Sequence, residues 1–557
     1  MGLDLTVAAQ VAQMVVVRAS GHLFDHQIQY PDWEPLNADL THWIRDLNVG
    51  GVIFLGGSAA EIGLRTQHLQ DFAATPLLMA ADIEEGVGQR FSGATWFPPP
   101  MAIAHIARHD LPKAIAYAEA MGAATAQEAV AIGLNWVLAP VVDVNNNPKN
   151  PVINVRAFGD EPDIVGELAA AFIRGAKPFP VLTSAKHFPG HGDTATDSHL
   201  DLPVLPHDRE RLAAIELPPF KAAIAAGVDT VISAHLQIPL LDASDPATLS
   251  PKILTGLLRQ ELGFDGLITT DALVMGAIAN RYGPNEAAIL AVEAGADILL
   301  MPADPEGAIK AVCKAVETGR ISRDRIQSSY DRIRWAKQGI GSPHTAGDDS
   351  TTHAWENITP PPVQLDQLAQ PQVRETAIAI LQESMVCQVP QPLPKAQAGQ
   401  NIILIDNSLD CDFLGHNAPA ITVPQAHGYH QLTVVDQHVL KAKGELKAEG
   451  RRQKAEEPTP SPSQEGDRTA PTPQRPNALL QLFVRGNPFR GRAGMSDRAI
   501  DLLMDLLAQD CLQGVVVYGS PYLWDALKQT LPESVPCVFT YGQMPTAQVL
   551  AMQALFK

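Results

Sequence analysis

One short stretch, Lys186-His187-Phe188-Pro189-Gly190-His191-Gly192-Asp193-Thr194-Ala195-Thr196-Asp197-Ser198-His199, carries an amine, three imidazoles and two carboxylates. Asp197 and His199 stand two apart, so in an extended chain their side chains share one side. A carboxylate beside an imidazole orients the ring and stabilises its protonated form, as a general acid/base requires. A second carboxylate, Asp271, ends the apolar run Gly266-Leu267-Ile268-Thr269-Thr270. At a rigid strand terminus such a group suits a nucleophile.

A nucleophile and a proton donor on separate elements meet the needs of retaining glycoside hydrolysis, with His in place of the usual second carboxylate. Two plainer readings compete. His187, His191, Asp193, Asp197 and His199 could ligate a metal, but their spacing matches no metalloenzyme motif, and neither metal nor cofactor is expected. Asp82, Arg156 and Lys186 could form a buried ion-pair network, and such a network can coexist with a sugar site.

The elements that must position these groups come from the apolar pattern. Eight short apolar runs, at 14–17, 51–55, 77–81, 136–144, 181–186, 230–235, 266–271 and 297–301, lack alternation, as strands covered on both faces do. Between them lie helical stretches at 111–131, 209–226, 252–262, 285–294 and 306–318, and a last helix with Ser322 as its N-cap runs through Lys337. Eight β/α units predict a (β/α)8 TIM-like barrel over 1–340, with a doubly wound open sheet as the alternative. In a barrel, chemistry gathers at the C-terminal strand ends. Asp82, Asp143, Lys186-His187, His235 and Asp271 all fall at such ends.

Residues 341–372 read as a linker. A smaller α/β sandwich domain is expected over 373–557, broken near 441–476 by a Lys/Arg/Glu/Pro/Ser-rich insertion too polar to order itself. The net charge of −20 argues against a nucleic-acid binder, which needs a basic face. No run is long and apolar enough to span a membrane. The N-terminus lacks the basic and apolar regions of a signal peptide, and five scattered Cys suit reduced thiols, so a cytoplasmic location is expected. The oligomeric state stays open.

The stretch 186–199 resembles the signature of family 3 glycoside hydrolases of the β-N-acetylhexosaminidase type. The resemblance extends over the barrel, through Asp82-Ile83-Glu84-Glu85-Gly86-Val87-Gly88-Gln89-Arg90, Asn154-Val155-Arg156-Ala157-Phe158-Gly159, Ala234-His235 and 263–275. It implies that Asp271 is the nucleophile of a covalent mechanism, that His199 is the acid/base and that Asp197 is its dyad partner. It further implies that Asp82 binds sugar hydroxyls, with Arg90, Arg156, Lys186 and His187 as donors. The implied substrate is a small glycoside with terminal β-linked GlcNAc, from peptidoglycan fragments in cell-wall recycling. The chain departs from the pattern at Glu85, where Gly is common, at Val87, where Arg usually follows the Gly, and at Ala272, where a second acid is frequent. A family 3 β-glucosidase is the alternative reading. A catalytically silent sugar-binding protein would not need all of Asp271, His199 and Asp197.

Overall fold

A computed structural model describes residues 6–28, 33–196, 201–340, 362–406, 411–436, 476–485 and 494–557. Asp197 and His199, most of the expected linker and nearly all of the expected insertion lie outside the described residues. The chain divides into two compact units, one spanning Met1–Glu383 and the other comprising Ser384–Arg485 and Ala493–Lys557.

All eight expected strands form in the first unit. They are β1 (Val15–Ala19), β2 (Gly51–Phe54), β3 (Leu78–Ala81), β4 (Trp136–Val137), β5 (Leu182–Phe188), β6 (Thr230–Ser233), β7 (Leu267–Thr269) and β8 (Leu299–Leu300). They pair in parallel in the order β8-β1-β2-β3-β4-β5-β6-β7. A parallel bridge between Thr269 and Ile298 joins β7 to the start of β8 and closes the ring. The sheet is therefore a (β/α)8 barrel rather than an open doubly wound sheet, whose edge strands would stay apart. The strands are buried throughout apart from Arg18 of β1, which accounts for their unbroken apolar character.

Two expected elements differ. The run at 136–144 is a ladder strand only over Trp136–Val137. Pro140 has no N–H to donate, and the chain beyond it keeps one bridge, Val141 to Lys186, on its way to Asp143. The helix expected at 209–226 is two helices, Arg209–Ala214 and Leu217–Ala225, with Glu216 at the break. Pro218 and Pro219 suit a first helical turn, where their missing N–H groups cost nothing, but would interrupt a helix running through them.

The helix at Leu111–Ala131 forms as expected. Residues 362–383 pack on its unit. Ala369 N donates to Glu128 Oε1 at 2.8 Å, and Tyr117 Oη donates to Glu383 Oε1 at 2.7 Å. The boundary expected at 373 thus falls inside the helix Pro371–Ser384, and the compact division comes at its C-terminal end.

The second unit holds a six-stranded sheet of β9 (Val386–Gln388), β10 (Gln400–Ile405), β11 (Gln431–Val435), β12 (Ala478–Val484), β13 (Leu512–Gly519) and β14 (Cys537–Thr540). The order is β9-β14-β13-β12-β10-β11, with β9 antiparallel at the edge and the other pairs parallel. Helices such as Pro545–Phe556 cover it, and Phe483 stacks on Tyr518 with ring centroids 4.2 Å apart. This is the expected α/β domain.

Candidate active site

The barrel brings three of the sequence candidates into one bonded group. Lys186, near the end of β5, has only 3% of its side chain exposed, and its Nζ lies 2.6 Å from both Asp82 Oδ1 and Glu84 Oε1. Arg156 donates from Nε and Nη2 to the two oxygens of Glu84, at 2.8 and 2.7 Å, and from Nη1 to the Val152 carbonyl at 3.0 Å. Two cations and two carboxylates share the pocket, so it is electrically balanced. Asp82 follows β3 and keeps 34% of its side chain exposed, which leaves it accessible to a ligand. Arg90, exposed, donates from Nε to the Asp82 carbonyl at 3.2 Å.

The electrostatics keep Glu84 and Lys186 charged. Burial pushes the Glu84 carboxyl up, but Arg156 and Lys186 together hold it well below the usual range. Burial pushes the Lys186 amine down, and Asp82 and Glu84 more than reverse that, so it remains an ammonium. Sequence reasoning quoted Glu84 within a motif without assigning it a part. The structure makes it the hub of the network. The signal available was a second carboxylate two residues past a strand-end Asp; nothing in the sequence said which cations it would meet.

His187 is placed by a residue noted only as a strand end. Asp143 is fully buried, and its Oδ2 lies 2.7 Å from His187 Nδ1. Its Oδ1 accepts from the backbone N–H of His187 at 3.1 Å and of His191 at 2.7 Å. Burial raises the Asp143 carboxyl, yet His187 and His191 bring it below the ordinary value. An ionised Asp143 fixes the proton of His187 on Nδ1 and leaves Nε2 for a ligand. Burial drives the His191 imidazole down to about 4 against the pull of Asp143 and Asp271, so it is neutral at physiological pH.

Asp271 lies half-buried, two residues past β7, and its Oδ1 accepts from Ala272 N at 2.8 Å. His235, past β6, bonds Thr248 Oγ1 and the Ala272 carbonyl through its two ring nitrogens, at 2.8 and 3.1 Å. It therefore braces the turn that carries Asp271. The described arm of the loop after β5 is also fixed. Asn150 Nδ2 donates to the carbonyls of His191 and Gly192, at 2.9 and 2.8 Å. Gly192 passes so close to Val144 that a Cβ there would lie 1.7 Å from its carbonyl oxygen. Glu85 and Val87, two of the departures from the family pattern, are fully buried, and Glu85 accepts from Trp96 Nε1 at 2.9 Å.

Residues 6–335 match the model described as "Glycosyl hydrolase family 3 N terminal domain", and residues 393–557 match "Bacterial Glycosyl hydrolase family 3 C-terminal domain". The chain belongs to glycosyl hydrolase family 3. A curated relative, beta-hexosaminidase A of Pseudoalteromonas piscicida, is 37% identical over 54% of this chain and 54% of its own length. A second, the beta-N-acetylglucosaminidase/beta-glucosidase of Cellulomonas fimi, is 30% identical over 54% of each. The chain thus spans about half the length of these two curated relatives. Among solved structures, a family 3 beta-N-acetylglucosaminidase from Paenibacillus sp. str. FPU-7 superposes with a TM-score of 0.73 at 29% identity, over 99% of this chain and 96% of that one. This family 3 member therefore has both the barrel and the following α/β domain of that structure.

Proposed function

We propose that the protein is a retaining exo-β-N-acetylglucosaminidase that removes terminal β-linked GlcNAc. The observation that carries this reading is the bonded group Lys186–Asp82–Glu84–Arg156 on the strand-end rim that also bears His187 and Asp271. A pyranose offers neighbouring hydroxyls, and a rim of fixed, charged hydrogen-bonding groups recognises these well. Lys186, Arg156 and Arg90 serve as donors, and Asp82 and His187 Nε2 accept. The names of the P. piscicida and Paenibacillus relatives support the sugar.

In the first half-reaction, a carboxylate oxygen of Asp271 attacks the anomeric carbon. His199, protonated and oriented by Asp197, gives its proton to the departing glycosidic oxygen. The neutral imidazole then takes a proton from water, which displaces Asp271 and restores both groups. The substrate class we assign is peptidoglycan fragments bearing terminal GlcNAc, met in the cytoplasm during cell-wall turnover. Free thiols at Cys313, Cys387, Cys411, Cys511 and Cys537 accord with a reducing compartment. No described helix is long and apolar enough to cross a membrane.

A second reading, β-glucosidase activity, is favoured by one observation, the double name of the C. fimi relative. A panel of aryl β-GlcNAc and aryl β-glucoside substrates separates the two. Preference for the N-acetylated sugar is expected, and the reverse preference would overturn the assignment. Asp271→Ala is expected to abolish both activities, and full activity in that variant would sink the mechanism.

A further inference from the structure

The floor of the site holds a hydroxyl with nothing to bond. Lys186 reaches from β5 across β4 to Asp82, just past β3, so its side chain faces the barrel interior. The ladders pair Lys186 with Ile232 of β6, and Ile232 with Thr269 of β7. Residues paired across neighbouring strands share a face, so Thr269 points inward at the level of Lys186. It is fully buried. Among the described residues its Oγ1 is the one buried serine or threonine hydroxyl without a hydrogen-bond partner.

The hydroxyls around it are bonded. One layer deeper, Thr230 Oγ1 lies 2.6 Å from Ser184 Oγ, and Trp136 Nε1 donates to Ser184 Oγ at 2.9 Å. Ser233 Oγ bonds Thr248 Oγ1 at 3.0 Å, and Thr270 Oγ1 accepts from Leu300 N at 2.9 Å. A buried hydroxyl left unpaired weakens a fold, and Val has the same shape without that cost. Packing therefore does not account for a hydroxyl at 269.

The polar group that follows it on the inner face is Asp271. The chain keeps to β8 past the end of β7, with Thr270 N donating to the Ile298 carbonyl at 3.0 Å. The alternation of side chains thus carries on from Thr269 to Asp271. Asp271 is also among the carboxylates that pull on the buried His191 ring after β5, on the far side of β6, as an inward-facing group does. Alternate residues of a strand stand about 7 Å apart. One bridging water spans about 5 Å between two oxygens, and the side chains make up the difference.

We propose that Thr269 is a positioning residue for the nucleophile, its hydroxyl donating through one water to the Asp271 carboxylate and holding it in the orientation from which it attacks. The proposal rests on the reading of Asp271 as nucleophile. Thr269 touches neither the sugar nor the leaving group. Losing its donor should slow the attack and leave sugar binding alone. A hydrogen bond to the charged form lowers a carboxyl pKa, so the same loss should raise that of Asp271. His191, and His235 bonded to the Ala272 carbonyl, keep their places in every variant.

The test uses the full chain, 2,4-dinitrophenyl β-N-acetylglucosaminide, and the variants Thr269→Val, Thr269→Ser and Asp271→Ala. A dinitrophenolate leaves without a proton, so the acid limb of kcat/KM reports the nucleophile rather than the proton donor. In Thr269→Val, kcat/KM is expected to fall about tenfold, while Ki for GlcNAc stays within about twofold of wild type. The acid limb should move up by about half a pH unit or more. Thr269→Ser, which restores the hydroxyl, should recover most of both effects. Thermal melts show whether the Val variant folds, and Thr269→Ala supplies a second variant without the hydroxyl.

Wild-type kcat/KM with an unmoved acid limb in the hydroxyl-free variants would overturn the proposal. So would a loss that Ser does not recover, or one matched by an equal loss of GlcNAc binding. Full activity in Asp271→Ala would instead overturn the reading of Asp271 as nucleophile. An inactive Asp271→Ala beside an unaffected Thr269→Val keeps that reading and removes the Thr269 bond alone.

Discussion

Replacing Glu84 by Gln tests whether the hub of the network is worth what its geometry implies. Glu84 has 3% of its side chain exposed and meets two buried cations, Lys186 at 2.6 Å and Arg156 through two bonds. Gln keeps the shape and one acceptor oxygen, but it removes the charge and turns one accepting position into a donor aimed at a guanidinium or an ammonium. Breaking a buried pair by removing one partner costs about 3–5 kcal/mol, because the other charge is left uncompensated. Asp82 still faces Lys186, so about 2–3 kcal/mol is expected here. In a unit of this size that lowers Tm by roughly 3 °C.

The pH course gives a second check. The folded pKa of Glu84 lies below its unfolded value, so its stabilisation is fully present above the ordinary carboxylate pKa and is lost as pH falls through the folded value. The gap in Tm between wild type and Glu84→Gln should therefore be constant from about pH 6 to 8 and narrow only in acid. Lys186 and Arg156 should also drift from their places, so KM for an aryl β-GlcNAc should rise with kcat less affected. Paired thermal melts and Michaelis kinetics measure both effects. A variant matching wild type in Tm and KM at pH 7 would refute the view that Glu84 organises the sugar-binding cations.

Two further predictions concern buried ionisable groups. Asp143→Asn leaves His187 Nδ1–H an acceptor but removes its charge. A charge-assisted bond becomes a neutral one, a loss of about 1–1.5 kcal/mol, so kcat/KM should fall roughly five- to tenfold, and an unchanged value would show that His187 does not touch substrate. Lys337, buried at 1% exposure against Gln13, has its ammonium pushed down to about 7 by desolvation. Its folded pKa is depressed, so its burial costs most below about pH 7 and least above its unfolded value. Lys337→Met should raise Tm at pH 6 by more than at pH 9, and a gain independent of pH would contradict that account.

The positions legible in the sequence share a physical cause. A strand covered on both faces must be apolar along its length, so all eight barrel strands were visible as short unbroken runs, and the polar residues ending them marked the rim. Boundaries failed where backbone chemistry intervened. Pro140 ended the ladder early in the run at 136–144, and Pro218 and Pro219 split the helix expected at 209–226.

The sequence alone determined the barrel, the domain that follows it, and the strand ends at which Asp82, Lys186, His187 and Asp271 stand. Local pattern suffices for these, since burial of a strand and exposure of its end are written in consecutive residues. Only the tertiary structure decided which charges meet. Glu84 and Arg156 are 72 positions apart and Asp82 and Lys186 104 apart. No spacing in the chain encodes those pairs. They follow from closure of the barrel, which brings the ends of β3 and β5 and the loop carrying Arg156 onto one rim, where burial requires each charge to find an opposite.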